Sequence, residues 1–425
     1  MEFLEELKWR GLLQDFTPGI EELIKQKGIK GYAGFDPTAD SLHIGNLVPV
    51  TLLTHFQRYG HVPVVLMGGA TGRIGDPSGK SQERKLLSKE EIEHNLNCQK
   101  KQLESFIDFE GVENAAELVN NYDWFEKMSF LDFMRDAGKH ITISYMMAKD
   151  SVKNRLETGI SFAEFSYQMI QGYDFYYLHK HQNIQIQMGG SDQWGNMLTG
   201  TELIRRMEGS EAHVFTAPLI TKADGSKFGK SEGGNVWLSA ERTSPYKFYQ
   251  YWLNVSDEDA SRYIKIFSLK SVEEISEMIK LHEEAPHERK LQRSLAEEMT
   301  ERIHSKEELE NAIKASNILF GNSTKDELLS MSERQLEEIF SDVPQFEINR
   351  NDLNEPIGII DLLAEKTAIL ASKGEARRMI QQNSISLNKE KVDENKEVSL
   401  DDLIKNKFII AQKGKKNYFL IKIQG

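Results

Sequence analysis

Two short motifs far apart along the chain contain residue types that bind phosphate groups. The first is HIGN at 43–46, which precedes a run with the apolar spacing of a helix. A helix start offers unpaired N–H groups and a positive dipole end, and Gly45 would let a nucleotide lie against the turn. The second motif is KFGKS at 227–231. Because glycines accompany Lys227 and Lys230, we expect these lysines on a mobile loop that closes over a pyrophosphate group.

A second polar loop, at 79–85, adds the cations Lys80 and Arg84. We expect both to contact the same phosphate groups. The overlapping sequence GDPSGKS at 75–81 is one residue too short for a complete phosphate-binding loop, so we do not interpret it as one.

The composition is typical of a globular protein with several domains. A chain of 425 residues predicts two or three of them. Cys98 is the single cysteine, which excludes an intrachain disulfide and a cysteine-rich zinc site, so we predict no metal site held by the protein itself. The sequence shows neither a membrane-length apolar run nor a signal peptide, so we predict a cytoplasmic protein that does not bind membranes.

The net charge of −13 is unevenly distributed along the chain. Residues 355–425 hold 13 Lys and Arg against 10 Asp and Glu, a balance of +3, which leaves −16 for the rest. A modestly basic module on an acidic body is typical of a protein that docks RNA at one end.

The order of predicted elements divides the chain into regions. Apolar strand-like runs alternate with helical stretches as far as about residue 217, which predicts a Rossmann-like, doubly wound parallel α/β sheet. Helix-start signals follow, Ser256 and Ser271 among them, and short strands around a capped helix end the chain. We predict a catalytic domain at 1–220, a motif loop at 221–244, an α-helical domain at 245–320, a linker at 321–354 and a small α+β RNA-binding domain at 355–425.

The two motifs, in this order and with a helical region after the second, resemble the signature sequences of class I aminoacyl-tRNA synthetases. Four further stretches are similar to bacterial tyrosyl-tRNA synthetases: the stretch around Tyr32, GRIGDPSGK at 72–80, YQMIQGYD at 167–174 and GGSDQWGN at 189–196. The similarity covers nearly the whole chain. It implies ATP and L-tyrosine as substrates, Mg²⁺ accompanying ATP, the tRNA for tyrosine as partner, and a homodimer with its interface near 138–156.

One predicted helix carries the candidate amino-acid pocket. Tyr167, Gln171 and Asp174 are spaced i, i+4 and i+7, which places a phenol, an amide and a carboxylate on one helix face. The resemblance implies that Tyr32 and Asp174 hydrogen-bond the substrate phenol. It also implies that Asp76, Tyr167 and Gln171 hold the α-ammonium group. A carboxylate in an aromatic pocket is left unpaired if phenylalanine enters, which favours tyrosine.

The resemblance also implies the nucleotide contacts, with Asp192 on the ribose hydroxyls. Asn46 replaces the histidine usual at its place, and its amide can still donate to a ribose oxygen, so we expect activity with an altered ATP affinity. The implied ATP-binding residues are Asp36, Thr38, His43, Gly45, Asn46, Gly190, Asp192, Gln193, Lys227 and Lys230. The implied catalytic residues are His43, Asn46, Lys80, Arg84, Lys227, Lys230 and Ser231.

Two aromatic features accompany these residues. Phe228, with the glycine after it, replaces the common Met-Ser pair of the second signature, a variant that resembles the tyrosyl branch. We predict that Trp124 and Trp194 pack in the core rather than stack on a base.

Residues 357–423 resemble a small RNA-binding domain first named for a ribosomal small-subunit protein, through SKGEARR at 372–378 and ISLN at 385–388. Arg377 and Arg378 lie on its predicted helix and would meet RNA phosphates. After a synthetase-like body, we expect this domain to recognise the long variable arm and the anticodon of the tRNA.

The sequence therefore predicts tyrosine–tRNA ligase activity: tyrosine and ATP form tyrosyl-adenylate and pyrophosphate, and the tyrosyl group then passes to the terminal ribose of tRNA. Two alternatives stay open. A tryptophan–tRNA ligase would share the fold, but Tyr32 with Asp174 favours tyrosine. A non-catalytic RNA-binding protein on the same fold is disfavoured by His43, Lys227 and Lys230.

Overall fold

The computed structural model describes residues 1–76, 78, 87–153, 159–231, 234–320, 325–341, 343–414 and 417–425. They form two compact units. The first comprises Met1–Thr243 and Tyr251–His304, and the second comprises Ser244–Gln250 and Ser305–Gly425. Over these described ranges, no helix has both the length and the apolar character needed to cross a membrane.

The first unit is built around a five-stranded parallel sheet. Its strands are β1 Lys30–Phe35, β2 Val62–Met67, β3 Glu117–Asn120, β4 Ile186–Gly190 and β5 His213–Ala217. They lie in the order β3-β2-β1-β4-β5, so the direction of winding reverses between β1 and β4. This order confirms the predicted doubly wound α/β sheet, in which ligands bind at the carboxyl ends of the strands beside the reversal.

Burial explains which strands the sequence pattern revealed. Every residue of β2 after Val62 is buried, as expected for a strand covered on both faces by helices. All four residues of the edge strand β3 are only half-buried. That strand therefore lacks the continuous apolar run that marks its neighbour.

Helices α9, Phe162–Gln182, and α10, Trp194–Glu208, pack closely beside the sheet. A Cβ added to Gly172 would lie 2.9 Å from Thr199 Cγ2, and one added to Gly200 would lie 2.7 Å from Phe175 Cβ, so glycine is required at this crossing. The contact brings one face of α9 against the middle of α10. The helices of this region are α1 Phe3–Arg10, α2 Ile20–Leu23, α3 Leu47–Arg58, α4 Lys89–Leu103, α5 Tyr122–Phe125, α6 Phe130–Asp136, α7 Ile143–Met147, α8 Asp150–Lys153, α9 Phe162–Gln182 and α10 Trp194–Glu208.

The region after the second motif is helical, as predicted. A short antiparallel hairpin, β6 Lys230–Ser231 and β7 Gly234–Asn235, precedes α11 Pro245–Leu253, α12 Asp257–Phe267, α13 Val272–Glu284 and α14 Lys290–Ile303. The side chains of Ser256 and Ser271 cap α12 and α13. The buried guanidinium of Arg10 in α1 donates to the carbonyl oxygens of Lys265 and Ser268 and so joins the helical region to the N-terminal helix.

The second unit is an α+β domain, which confirms the predicted class. Its strands are β8 Gln345–Asn349, β9 Ile357–Gly358, β10 Ile385–Leu387, β11 Glu390–Lys391, β12 Glu397–Val398, β13 Phe408–Lys413 and β14 Asn417–Gln424. The main sheet has the order β11-β10-β13-β14-β8, in which β14 and β8 are parallel and the other neighbours antiparallel. The helices are α15 Lys306–Phe320, α16 Lys325–Leu329, α17 Glu333–Ile339, α18 Ile359–Asp361 and α19 Lys373–Gln381.

The segment predicted as a linker contributes to this second unit. Helices α16 and α17 and strand β8 lie within it, and Ile348 of β8 is paired with Ile423 of β14. Phe346 and Ile348 pack against the core of the unit. Two alternating apolar residues are too few to indicate a strand, so only the tertiary pairing shows that the unit begins before residue 355.

Candidate active site

The two motifs predicted to bind phosphate meet in the folded chain. A Cβ added to Gly229 would lie 3.0 Å from Ile44 Cγ1 and 3.4 Å from the backbone nitrogen of Gly45. The backbone of Val236 joins them, because its N–H donates to the Gly229 carbonyl (2.9 Å) and its carbonyl accepts from the Ile44 N–H (3.0 Å). The second motif therefore lies directly on the first.

The first motif is held in one conformation by its own side chains. The His43 Nδ1 atom accepts from the Gly45 N–H at 3.1 Å, and the His43 N–H donates to Asn46 Oδ1 at 3.0 Å. A Cβ on Gly45 would lie 2.8 Å from His43 Cε1, which explains the glycine. The side-chain Oδ1 of Asn46 thus caps the turn, which leaves the side-chain NH₂ group of Asn46 to donate to a ligand.

The second motif combines a packed aromatic ring with exposed lysines. The Phe228 ring lies parallel to that of Phe267, with 5.4 Å between centroids, and edge-on to Tyr263 at 5.0 Å. Lys227 and Lys230 on either side are exposed. The aromatic contacts therefore fix the motif to the helical region while its cations face solvent.

Three of the predicted catalytic residues have no described side chain. Lys80 and Arg84 lie outside the described residues. For Ser231 only the backbone, in β6, is described. Their predicted roles stay predictions.

Asp174 lies at the buried end of the site. Its side chain is 1% exposed; Oδ1 accepts from Trp124 Nε1 at 3.0 Å and Oδ2 accepts from Asn121 Nδ2 at 3.1 Å. Burial raises the pKa of this carboxyl well above its usual range, although both hydrogen bonds lower it. The two donors fix the plane of the carboxyl group.

Tyr32 on β1 completes this buried end. Its side chain is 1% exposed, and its hydroxyl is buried without a hydrogen-bond partner among the described residues. Burial raises its pKa well above the usual value, and the nearby Asp174 carboxylate raises it further. An unpaired buried hydroxyl is unfavourable, so Tyr32 and Asp174 together are suited to bind a hydroxyl group.

A second set of carboxylates lies where β1 and β2 end. Tyr167 Oη donates to Asp36 Oδ2 at 2.9 Å, and Thr71 Oγ1 donates to Asp36 Oδ1 at 2.7 Å. Burial raises the pKa of Tyr167, as do the carboxylates of Asp36 and Asp76. Asp36, predicted as a nucleotide contact, is therefore bound to Tyr167 of the predicted amino-acid pocket.

The start of α10 joins this set. Gln193 Nε2 donates to Asp76 Oδ2 at 2.7 Å, and Asn196 Nδ2 donates to Gln171 Oε1 at 3.0 Å. Gln193, also predicted as a nucleotide contact, thus orients a carboxylate of the predicted ammonium site. The face of α9 that carries Tyr167, Gln171 and Asp174 lines the site along its length.

The predicted nucleotide side is more open. Thr38 and Asp192 are exposed, and a Cβ on Gly190 would lie 2.6 Å from Asp192 Oδ1. An open pocket of about 390 Å³ adjoins Thr38 and is also lined by Trp237 and Arg242. Within the described part of the chain, no group of three or more His, Cys, Asp and Glu side chains is arranged to hold a metal ion.

Four residues of this site were not predicted from the sequence: Thr71, Asn121, Trp124 and Asn196. Trp124 packs in the core as predicted, its ring stacked on Tyr177, but it also donates to Asp174. Trp194 packs against the same core, also as predicted. Asn121 directly follows β3, and residues at the carboxyl end of a strand are candidates for a site. The sequence did not indicate it because the apolar pattern did not reveal this edge strand.

The strand order and the contact between the two motifs define a class I aminoacyl-tRNA synthetase catalytic domain, and the family model for "tRNA synthetases class I (W and Y)" matches residues 25–321. A second model, for a tyrosine–tRNA ligase C-terminal domain, matches residues 335–421. The tyrosine–tRNA ligase of Bacteroides thetaiotaomicron is 56% identical, and that of Flavobacterium johnsoniae 57%, each over 99% of both chains. The chain therefore belongs to the tyrosine–tRNA ligase family.

Solved structures agree with this assignment. A C-terminally truncated mitochondrial tyrosyl-tRNA synthetase of Aspergillus nidulans has a TM-score of 0.68 and 31% identity, covering 75% of this chain and 94% of that one. The tryptophanyl-tRNA synthetase of Plasmodium falciparum has a TM-score of 0.52 and 13% identity, covering 79% of this chain and 87% of that one. The latter likeness shows a shared fold alone.

Proposed function

We propose that this chain is a cytoplasmic tyrosine–tRNA ligase that makes tyrosyl-adenylate from tyrosine and ATP and then transfers the tyrosyl group to the terminal ribose of its tRNA. The observation that carries the proposal is the buried pair of Tyr32 and Asp174 at one end of a site whose other end has both phosphate-binding motifs in contact. The family membership supports the same activity.

The buried pair would recognise the substrate phenol. The phenol O–H would donate to the Asp174 carboxylate and its oxygen would accept from the Tyr32 hydroxyl. Phenylalanine would leave the Tyr32 hydroxyl buried without a partner and would remove one donor from Asp174, and an unpaired buried polar group costs roughly 1–3 kcal/mol. Tyrosine is therefore the amino acid that satisfies this end of the site.

The acceptors near the carboxyl ends of β1 and β2 would hold the α-ammonium group. Asp76 and Gln171 offer oxygens, and the Tyr167 hydroxyl can accept because its own proton is donated to Asp36. Gln193 and Asn196 orient two of these acceptors. Bound at both ends, tyrosine would direct its carboxylate toward the phosphate motifs.

Adenylate formation is an in-line attack of a tyrosine carboxylate oxygen on the α-phosphorus of ATP, with pyrophosphate as leaving group. It needs donors for the developing charge more than an acid or a base. We assign this role to His43, Lys227 and Lys230, together with the sequence-predicted Lys80, Arg84 and Ser231. Thr38, Gly45, Asn46, Gly190 and Asp192 would contact the nucleotide, and Mg²⁺ would enter bound to the ATP phosphates.

In the second step a terminal ribose hydroxyl of tRNA attacks the carbonyl of the adenylate and AMP leaves. Arg377 and Arg378 on α19 are both exposed and suited to RNA phosphates, whereas Lys373 on the same helix is ion-paired with Asp361 at 2.7 Å. Replacing both arginines by glutamine should raise KM for tRNA and leave amino-acid activation unchanged. Lys373→Gln is the matched control.

We also propose a homodimer. Leu131 (77% exposed), Phe162 (68%), Ile143 (66%) and Phe130 (63%) lie close together in the chain, within 130–162, which overlaps the predicted interface near 138–156. Large exposed apolar side chains in one region favour an interface between copies. Leu131→Glu with Phe162→Glu should give a monomer in sedimentation, while Val112→Glu, at an exposed apolar residue elsewhere, should not.

ATP–pyrophosphate exchange tests the proposed activity. We expect the native protein to exchange label with tyrosine and to show no more than background with phenylalanine or tryptophan. Exchange that depends on tryptophan would assign the chain to the tryptophan enzyme. No exchange with any amino acid would favour a non-catalytic RNA-binding protein.

A further inference from the structure

Tyr122, at the start of α5, has a cation on its ring. The Arg73 guanidinium carbon lies 4.1 Å from the ring centroid, and Lys89 Nζ lies 5.8 Å from it. Both distances fall within the range of about 6 Å over which a cation is attracted to an aromatic face. Because attraction falls with distance, Arg73 is the stronger partner.

The stacking defines the place of the Arg73 side chain. Its Nε is buried and makes no hydrogen bond to any described residue. Arg73 ends a short 3₁₀ turn, Thr71–Arg73, in the loop that follows β2. Arg73 therefore joins this loop to Tyr122, which follows β3.

Hydrogen bonds from backbone N–H groups to asparagine side chains join the same two loops. Asn120 Oδ1 accepts from the Gly69 N–H at 3.2 Å and from the Tyr122 N–H at 3.0 Å. Asn121 Oδ1 accepts from the Ala70 N–H at 2.6 Å. Asn120 and Asn121 thus connect the loop after β2 to the loop after β3, and Tyr122 is the next residue along the chain.

The contact between these two loops extends to Asp174, the carboxylate that would bind the substrate phenol. Asn121 Nδ2 donates both to Thr71 Oγ1 and to Asp174 Oδ2, each at 3.1 Å. The Asn121 amide therefore bonds both to the loop after β2 and to Asp174. The orientation of the Asp174 carboxylate thus depends on where the two loops hold Asn121. A shift of Tyr122 would therefore disturb one of the two hydrogen bonds that orient Asp174.

We propose that Arg73 is a specificity-positioning residue: by stacking on Tyr122 it holds Asn121 against Asp174 and so sharpens the choice of tyrosine over phenylalanine. The inference rests on the proposed function, since it requires that Asp174 bind the phenol. Arg73 itself touches no substrate group in this account. Its effect should fall on tyrosine recognition and not on ATP.

The test is ATP–pyrophosphate exchange with tyrosine and with phenylalanine on the native protein, Arg73→Met, Arg73→Lys and Lys89→Met. We expect Arg73→Met to raise KM for tyrosine about fivefold and to lower the tyrosine-to-phenylalanine ratio of kcat/KM by a similar factor. KM for ATP should stay within about twofold. Arg73→Lys should recover part of the loss, and Lys89→Met, at the longer distance, should resemble the native protein.

Tyr122→Leu is the second test, with Tyr122→Phe as its partner that keeps the ring. If Arg73→Met does not fold, loss of discrimination in Tyr122→Leu but not in Tyr122→Phe supports the proposal. An unchanged KM for tyrosine and an unchanged ratio in a folded variant overturn it, even if the melting temperature falls. Absence of tyrosine-dependent exchange in the native protein would instead overturn the proposed function, and this inference with it.

Discussion

The proposed amino-acid end of the site is buried, with Asp174 already hydrogen-bonded, whereas the proposed phosphate end is exposed and cationic. Asp174 is 1% exposed and has a donor on each oxygen. Lys227 and Lys230 are exposed on either side of a packed Phe228. Hydrogen bonds therefore fix the Asp174 carboxylate without a ligand. In the second motif Phe228 and Gly229 are held by contacts, while the lysine side chains are exposed.

This difference separates the two tasks of the proposed enzyme. A rigid buried carboxylate beside the unpaired Tyr32 hydroxyl discriminates, because a side chain without a hydroxyl leaves Tyr32 unpaired and gives Asp174 no further donor. Exposed cations contribute little to the ground state and can approach the charge that develops on the phosphates. Changes at the two ends should therefore affect different kinetic constants.

The largest effect is expected from the lysines of the second motif. Lys230→Met and Lys227→Met should each lower kcat for exchange by roughly 100-fold, because each removes a donor to the charge of the transition state. KM for tyrosine should change little. Lys222→Met, at a lysine in the same loop, is the control, and an equal loss in that variant would contradict a specific role for Lys227 and Lys230.

Removing the charge of Asp174 is expected to have the next largest effect. Asp174→Asn should lower kcat/KM for tyrosine by about 30-fold, since a charge-assisted hydrogen bond contributes about 2 kcal/mol and an amide cannot accept from Asn121, Trp124 and the phenol together. Kinetics of Asp192→Asn provide the comparison: that change should raise KM for ATP and spare tyrosine. If both variants affect both substrates equally, the two ends are not separate.

Tyrosine binding should also depend on pH. Burial raises the pKa of the Asp174 carboxyl, so it takes up a proton at a higher pH than an exposed aspartate, and the protonated form is a poorer acceptor for the phenol. KM for tyrosine should therefore rise about tenfold as the pH is lowered through this raised pKa. The same rise in Asp174→Asn would assign the titration to another group.

The smallest effect is expected at the aromatic anchor of the second motif. Phe228→Leu removes ring contacts with Phe267 and Tyr263 that contribute about 1 kcal/mol each, so kcat should fall about fivefold while KM for tyrosine is unchanged. Phe228→Met, which has about the volume of leucine and also lacks the ring, should lower kcat by a similar factor. A tyrosine KM that rises in Phe228→Leu would show that the two regions are coupled.

Much of the site followed from local patterns. The spacing of Tyr167, Gln171 and Asp174 placed them on one face of a helix, and α9 does present all three to the site. The run Val62–Met67 predicted β2 with its bounds. Helix and strand patterns can be recognised in the sequence because the side chains of a helix or strand share a face at a fixed spacing.

The sequence by itself determined the fold class and the helix face that carries Tyr167, Gln171 and Asp174, because periodicity and composition are local properties; the resemblance of its motifs supplied the predicted ligand contacts. Only the tertiary structure decided which side chains hold those residues: Asn121 and Trp124 on Asp174, Gln193 on Asp76, and Gly229 against Gly45. These partners come from segments distant in sequence, brought together at the carboxyl ends of parallel strands. Hydrogen bonds between distant segments do not recur at a fixed spacing along the chain, so a periodic sequence pattern does not predict them.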